Sequence, residues 1–202
     1  MDRSIVIVLL AYAIGSLPTG VIVGRVLGVD VRSAGSGNIG ATNVARLLGR
    51  RAGLLTLLCD IGKGVAAVAI ARALDGGDAI VHVAAVVALL GHVFSVFLRF
   101  DGGKGVATGF GVCFALAPAA MILPVAAFAL AFVGTRIVSV ASLAGAATMP
   151  FAMALVGAGR LNVIVAAIVA VVIAVRHQDN LQRLSQGAEP RFESRRSSPP
   201  EG

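Results

Sequence analysis

The chain has 202 residues, of which 57% are hydrophobic and 13% charged, and its mean hydropathy is +0.92. A soluble domain carries about 25% charged residues, so this composition excludes an ordinary soluble domain and predicts a protein embedded in a lipid bilayer. The formal net charge of +7 does not indicate a nucleic-acid partner, because the basic residues lie between apolar runs and form no single stripe.

Apolar segments recur along the whole chain. The first, residues 4–24, carries no charge and predicts one membrane crossing, since a crossing needs about 20 apolar residues. Four further segments predict one crossing each: 52–73, 79–98, 137–159 and 161–175.

Residues 105–135 are uncharged and too long for one straight crossing. At 1.5 Å per residue a single helix would run about 46 Å, against a hydrocarbon core of about 30 Å. Two helices that turn at Pro118–Pro124 fit better. The sequence therefore predicts an all-α integral membrane protein with seven transmembrane helices.

The distribution of basic residues supports seven crossings. With Lys63 set aside because it lies inside a span, thirteen basic residues fall on one side of the membrane and three on the other, whereas six crossings divide them eight and eight. The positive-inside rule then places the N-terminus outside and the C-terminus in the cytoplasm. We expect a multi-pass protein of the bacterial cytoplasmic (inner) membrane.

The chain reads as one membrane-embedded domain, residues 1–185, followed by a tail. Residues 186–202 are rich in Arg, Ser, Pro and Glu, a composition that predicts a disordered cytoplasmic segment.

A glycine-rich run, SAGSGNIGATN at residues 33–43, contains the G-x-G-x-x-G spacing of dinucleotide-binding loops. That motif requires a strand before it and a βαβ unit around it, and here it lies between two predicted membrane helices. The dinucleotide interpretation therefore fails. What remains is an anion-binding loop, because glycines allow backbone N–H groups to converge, and a helix that begins near Ala41 would add positive potential.

Further polar clusters follow along the chain. Counting the glycine-rich run, the chain has five polar clusters, and four of them fall at the cytoplasmic side of the seven-helix arrangement. The fifth, Asp60 with Lys63, lies within the second span and is either a buried ion pair or a catalytic group. The four comprise residues 36–46, residues 101–108 after His92, Arg136 with Ser139 and Ser142, and residues 176–180. They supply hydroxyls, amides and cations with few carboxylates, which is a donor set suited to phosphate. Apolar helices beside them suit an acyl chain, so the sequence suggests lipid synthesis.

Four segments in this order, SGNIGATN, DIGKG, GHVFSVFLRFDGGKGVAT and RHQDN-LQRL, resemble the bacterial membrane-integral acyl-phosphate:glycerol-3-phosphate acyltransferases, the PlsY family. The resemblance covers about residues 1–187. It implies a seven-helix fold and transfer of a fatty acyl group from acyl phosphate to the 1-position of glycerol 3-phosphate, giving lysophosphatidic acid and phosphate for phospholipid biosynthesis. Two positions depart from the family pattern: Ser95 stands where proline is expected, and Asp101 where a basic residue is expected.

The resemblance also assigns site residues. It implies that three residues act in catalysis: Ser36, Lys104 and His177. It implies that eleven bind substrate: Gly37, Asn38, Gly40, Thr42, Asn43, Arg46, Gly102, Gly103, Gly105, Ser142 and Asn180.

The expected mechanism is direct acyl transfer, in which Lys104 and Arg46 neutralise phosphate charge and His177 or the departing phosphate takes the hydroxyl proton. No metal and no cofactor are expected. The expected partners are acyl phosphate, glycerol 3-phosphate, the lipid bilayer and an enzyme that produces acyl phosphate. The alternative function is a transporter of a phosphorylated metabolite, for which a midplane site at Asp60 and Lys63 would be the distinguishing feature.

Overall fold

The computed structural model describes residues 2–192, and within that range the chain is helical without a β-strand. Ten α-helices follow one another: α1 Arg3–Ser16, α2 Thr19–Val26, α3 Ala41–Leu48, α4 Arg50–Ala73, α5 Gly77–Val93, α6 Val106–Leu116, α7 Ile122–Thr135, α8 Val138–Leu155, α9 Arg160–Arg176 and α10 Gln178–Ser185. Short 3-10 segments, Val96–Leu98 and Pro118–Met121, follow α5 and precede α7. The all-α prediction is confirmed.

Several helices have the length and apolar composition of membrane spans. Among the described residues, four segments are long and apolar enough to cross a membrane: Arg50–Ala73, Gly77–Leu98, Pro118–Thr135 and Val138–Leu155. Two bent pairs, α1 with α2 at 41° and α9 with α10 at 55°, raise the number to six if each pair is one span. The remaining apolar helix, α6, has 11 residues and a length of about 16 Å, which is shorter than a hydrocarbon core of about 30 Å.

The long uncharged stretch turns where its prolines predict. Helix α6 ends at Leu116, Pro118 begins the 3-10 segment, and Pro124 lies in the first turn of α7. Proline lacks a backbone N–H, and the first turn of a helix is where none is needed. Two helices in place of one are thus confirmed for residues 105–135.

The first apolar run is not one continuous helix. Helix α1 ends at Ser16 and α2 starts at Thr19, with Pro18 between them. The break leaves the carbonyl of Leu17 outside regular helix, and this carbonyl accepts a hydrogen bond from Nζ of Lys63 at 2.8 Å. A charged side chain of α4 therefore compensates a backbone break in the neighbouring helix.

Small residues allow the central helices to approach closely. Gly15 of α1 lies against the backbone of Ala88 in α5, and Gly64 of α4 lies against the backbone of Thr108 in α6. A side chain at either glycine would overlap main-chain atoms, so these contacts require glycine. The buried core that results runs through α1, α4, α5, α6, α8 and α9 and consists mainly of Ala and Val.

A separate, smaller core supports the glycine-rich run between α2 and α3. It contains Val21 of α2, Val31 and Ile39 of the loop, and Val44 of α3, all buried. This core fixes the loop against the end of the helix bundle, where the polar site lies.

The first residues of the predicted disordered tail make defined contacts. Residues 186–192 return over the helices: the backbone N–H of Phe192 donates to the carbonyl of Arg136 at 2.7 Å, and its ring packs edge-on against Phe132 with centroids 6.0 Å apart. These contacts belong to the first seven residues of the segment for which disorder is expected, and the prediction of a disordered tail stays a prediction. Residues 193–202 lie outside the described range.

Candidate active site

One cleft of about 940 Å³ gathers most of the predicted polar residues. Its walls come from the loop before α3, from α3 and α4, from the loop that carries Lys104, from α7 and α8, and from the junction of α9 and α10. Segments that are far apart in the chain thus converge at one end of the bundle.

The glycine-rich loop forms one wall of this cleft. Gly35 and Gly37 have φ values of 63° and 68°, the left-handed region that favours glycine. The side chain of Asn43 holds the loop: its Oδ1 accepts from the backbone N–H of Ser36 at 2.9 Å, and its Nδ2 donates to the carbonyls of Val31 at 2.9 Å and Ala34 at 3.2 Å. Asn43 is therefore the scaffold of the loop, and its amide is used internally.

Positive potential arises at this wall from a helix end and a cation. Helix α3 begins at Ala41 with Gly40 as its N-cap, and Ala41 and Thr42 of its first turn line the cleft together with Ser36. Arg46, one turn further along α3, also lines it. A helix N-terminus with a nearby guanidinium is an arrangement that binds phosphate.

Lys104 brings a second cation to the cleft, from the loop between α5 and α6. Its ammonium group donates to Oδ1 of Asn180 in α10. Burial lowers the pKa of Lys104 below its ordinary value, and the positive charges of Arg183 and Arg176 act in the same direction. The carboxylates of Glu189 and Asp179 oppose this lowering without cancelling it.

Glu189 brings a carboxylate into the same group. Its Oε1 accepts from Ser139 Oγ at 2.7 Å and from Nδ2 of Asn180, and its Oε2 accepts from Arg183 Nε at 2.8 Å. Partial burial acts to raise the pKa of Glu189, but the hydrogen bonds from Asn180, Ser139 and Arg183, with the charge of Arg183, outweigh it and hold the pKa below its ordinary value. The carboxylate ties α8 and α10 together beside Lys104.

His177 lines the cleft at the end of α9. Its Nδ1 lies 2.7 Å from the carbonyl of Ile173, which can only accept a hydrogen bond, so Nδ1 carries the hydrogen. In the neutral ring Nε2 is then an acceptor. This tautomer is the one a general base needs.

The cleft also has an apolar side. It is lined there by Leu54 and Leu57 of α4, by Phe128 and Phe132 of α7, and by Val138. Leu54 and Leu57 are exposed on the outer surface of the helix bundle. The site thus joins a polar, donor-rich end to a wall suited to a hydrocarbon chain.

The structure brings eleven of the fourteen predicted site residues to the cleft, and three do not line it: Gly37, Gly102 and Gly103. Gly37 belongs to the turn of the glycine-rich loop, where its N–H donates to the carbonyl of Ala34. The N–H groups of Gly102 and Gly103 donate to carbonyls at the end of α5 and do not point at the cleft. The roles of all fourteen residues stay predictions.

Several residues outside the predicted set also line the cleft: Asp60, His92, Ser139, Arg183 and Glu189. Ser139 shares a helix face with Ser142, a spacing visible in the sequence. No sequence signal distinguishes Glu189 from Glu193 and Glu201 in the same polar tail.

The two departures from the family pattern have local partners. Ser95 Oγ donates to the carbonyl of Ser16 at 2.6 Å. Asp101 pairs with Arg32 at 3.1 Å and approaches Arg176 at 3.9 Å, and it does not line the cleft. Asp101 therefore neutralises arginines beside the cleft and does not place a carboxylate inside it.

Comparison with known proteins gives consistent results. A family model described as Glycerol-3-phosphate acyltransferase matches residues 5–187. The glycerol-3-phosphate acyltransferase of Geotalea daltonii is 44% identical over 192 residues, covering 95% of this chain and 99% of that protein. The corresponding protein of Geobacter sulfurreducens is 43% identical over 194 residues, covering 96% and 100%.

Two solved structures share the fold. Both are of PlsY, an integral membrane glycerol 3-phosphate acyltransferase. Its glycerol 3-phosphate form aligns with a TM-score of 0.90 at 34% identity, and its lysophosphatidic acid form with a TM-score of 0.88 at 33% identity. Each alignment covers 95% of this chain and 96% of the other.

Proposed function

Because the chain belongs to the glycerol-3-phosphate acyltransferase family, we propose that its acyl donor is acyl phosphate and that the acyl group is moved to the 1-position of glycerol 3-phosphate. The observation that carries this proposal is the cleft itself, in which a phosphate-binding end meets an apolar wall. The products are lysophosphatidic acid and inorganic phosphate. A transporter is not favoured, since the family and the similar proteins are acyltransferases.

The chemistry is a direct transfer. The primary hydroxyl oxygen of glycerol 3-phosphate attacks the acyl carbonyl carbon, an ester C–O bond forms, and the bond between that carbon and the phosphate oxygen breaks. The hydroxyl proton passes to Nε2 of His177 or to the departing phosphate. Phosphate is a good leaving group, so positioning and charge stabilisation supply the acceleration.

The remaining polar groups would hold the two phosphates. Lys104 and Arg46 line the cleft from different elements and neutralise phosphate charge, while Ser36 and the N–H groups at the start of α3 donate hydrogen bonds. No base of the site hydrogen-bonds to Ser36 in the described structure, so direct transfer is favoured over an acyl-serine intermediate. Trapping an acyl ester on Ser36 would replace this route by a covalent one.

Seven crossings are supported by four residues that are far apart in the chain but line the same cleft. Arg46, Lys104, Ser142 and His177 line one cleft, and two helices separate each from the next: α4 and α5, α6 and α7, and then α8 and α9. Each pair leaves this end of the bundle and comes back. With the bent pair of α1 and α2, the total is seven. Although α6 is short, it packs against α4, α5 and α9 and is continued by the 3-10 segment.

We place the cleft at the cytoplasmic face of the inner membrane, because the basic residues that flank the helix ends concentrate there. An enzyme that makes acyl phosphate would supply the donor from that side. A C-terminal reporter that works only in the cytoplasm should be active, and activity of a reporter that works only outside would refute the orientation.

Purified protein tests the activity. Given acyl phosphate and glycerol 3-phosphate, it should release phosphate and form lysophosphatidic acid in equal amounts, and acyl-CoA should not replace the donor. Lys104→Ala and Ser36→Ala should abolish turnover. The control Ser33→Ala lies in the same loop but outside the cleft, where Ser33 Oγ only donates to the carbonyl of Asp30. Product from acyl-CoA but not from acyl phosphate would overturn the proposed donor.

A further inference from the structure

A second set of polar residues lies between α2, α4, α5 and α6, and two of its members, Asp60 and His92, reach the wall of the cleft. The carboxylate of Asp60 is 2.8 Å from Nζ of Lys63, and both side chains are under 5% exposed. Thr19 Oγ also donates to this carboxylate, and Lys63 donates to the carbonyl of Leu17. The two charges are thus satisfied inside the protein and stabilise the break between α1 and α2.

This set extends to His92 through Thr108. The hydroxyl of Thr108 is 3.1 Å from the backbone carbonyl of Asp60 and 3.2 Å from Nδ1 of His92. The carbonyl can only accept, so the single hydroxyl hydrogen points to it, and Thr108 Oγ accepts from His92 Nδ1. The carboxylate of Asp60, 3.7 Å from the same nitrogen, also favours a hydrogen there.

The loop that carries Lys104 rests on His92. The N–H of Gly103 donates to the backbone carbonyl of His92 at 3.1 Å, and the N–H of Gly102 to that of Val93 at 3.0 Å. A side chain at Gly103 would collide with Nε2 of the imidazole, and one at Gly102 with the carbonyl of His92. The ring and the main chain of one residue therefore form the surface against which both glycines lie.

We propose that His92 is a positioning residue, locked in orientation by Thr108 and Asp60, whose ring sets the course of the Gly102–Gly103 loop and so the place of Lys104. The imidazole does not react with substrate. Its edge supports the loop, and the hydrogen bond at Nδ1 prevents the ring from turning away. The catalytic consequence rests on the role proposed above for Lys104, whereas the loop geometry does not.

Lysine labelling tests the loop directly. The chain has two lysines, Lys63 and Lys104, and Lys63 is buried. An amine-reactive reagent, with the modified positions mapped by mass spectrometry, reports on Lys104, while Lys63 reports on unfolding. We expect His92→Leu and Thr108→Val to raise the rate of Lys104 labelling severalfold without labelling Lys63. His92→Asn keeps a hydrogen-bond donor at the contact between residues 92 and 108, and Thr108→Ser keeps its hydroxyl. In both variants the rate of Lys104 labelling should stay nearer that of the wild type.

The control is His82→Leu, at the opposite end of the same helix, where His82 pairs with Asn162. It should leave Lys104 labelling unchanged. Unchanged labelling in His92→Leu overturns the proposal, and so does a rise at both lysines, because His92 would then only maintain the fold.

Steady-state kinetics separate this proposal from the function. In His92→Leu we expect a fall in kcat/KM of about 10- to 100-fold, the size expected for a small displacement of a positioning group. The KM for glycerol 3-phosphate should rise, and Thr108→Ser should recover most of the loss seen in Thr108→Val. Faster Lys104 labelling with unchanged kinetics would sustain the loop geometry and refute the proposed role of Lys104.

Discussion

Lys104 illustrates how a single side chain depends on its surroundings. Partial burial lowers its pKa, whereas the neighbouring carboxylate of Glu189 limits that lowering. The ammonium group is charged below its pKa, so a lowered pKa means that the charge disappears at a lower pH than for an exposed lysine, whose pKa is about 10.4.

If the charge of Lys104 binds phosphate, the alkaline fall in kcat/KM should occur at a lower pH than it would for an exposed lysine. Glu189→Gln removes the carboxylate that stabilises the ammonium group, so the fall should move to lower pH. Lys104→Arg, whose guanidinium stays charged, should remove this dependence from whatever activity remains. The measurement is a pH profile corrected for donor hydrolysis. An alkaline limb at the wild-type pH in Lys104→Arg would contradict the assignment.

Gly103 has no room for a side chain, because even a methyl group would collide with the ring of His92. We predict that Gly103→Ala lowers activity at least about tenfold, because the added methyl group meets the ring of His92 and displaces the loop. Gly62→Ala is the matched control, since nothing lies within 4 Å of a side chain there. Initial rates of phosphate release from both purified variants provide the comparison, and equal rates would disprove the collision.

At the scale of elements, buried polar contacts join helices that the apolar core only brings together. Asp60 and Lys63 lie one turn apart on α4 and hold the break between α1 and α2, while Thr108 joins α6 to α4 and α5. Loss of either Asp60 or Lys63 should destabilise the fold, because the charge of the other residue would remain buried without a partner.

Asp60→Asn should therefore lower the stability of the protein in detergent by about 3–5 kcal/mol. Asp75→Asn is the control, because Asp75 is exposed with φ 50° and asparagine adopts that conformation readily. Unfolding monitored by denaturant or heat measures the difference. A double variant, Asp60→Asn with Lys63→Met, should recover part of the loss, and no recovery would argue against the ion pair as the cause.

For the whole molecule, the segment after α10 completes the cleft. Glu189, Pro190 and Phe192 line it, and Glu189 connects Ser139 with Asn180 and Arg183. The bundle of helices and this return segment, residues 186–192, therefore line the cleft together.

Truncation measures that contribution. We predict that a chain ending at Ser185 loses at least about tenfold in kcat/KM, since Lys104 and Asn180 lose the carboxylate beside them. A chain ending at Phe192 retains every described residue that lines the cleft and is the matched comparison. Equal activity of the two chains would show that the return segment has no part in the site.

The helices and many of the cleft residues could be predicted from the sequence alone. Apolar runs without charge can only be buried in lipid or core, so they predicted the helices and the turn at Pro118. The motifs around Ser36, Lys104, Ser142 and His177 predicted most of the polar residues that line the cleft, because each motif is local and polar in an apolar chain.

Tertiary structure decided what depends on contacts between distant segments. Gly102 and Gly103 pack against His92 and do not line the cleft. Asn43 holds the glycine-rich loop through hydrogen bonds to its backbone. Glu189 of the tail accepts a hydrogen bond from Ser139 of α8. Hydrogen bonds between residues dozens of positions apart leave no periodic pattern, and the break at Pro18 is stabilised by a lysine on another helix. A sequence reveals which groups must be paired, and only the folded chain decides with which partners.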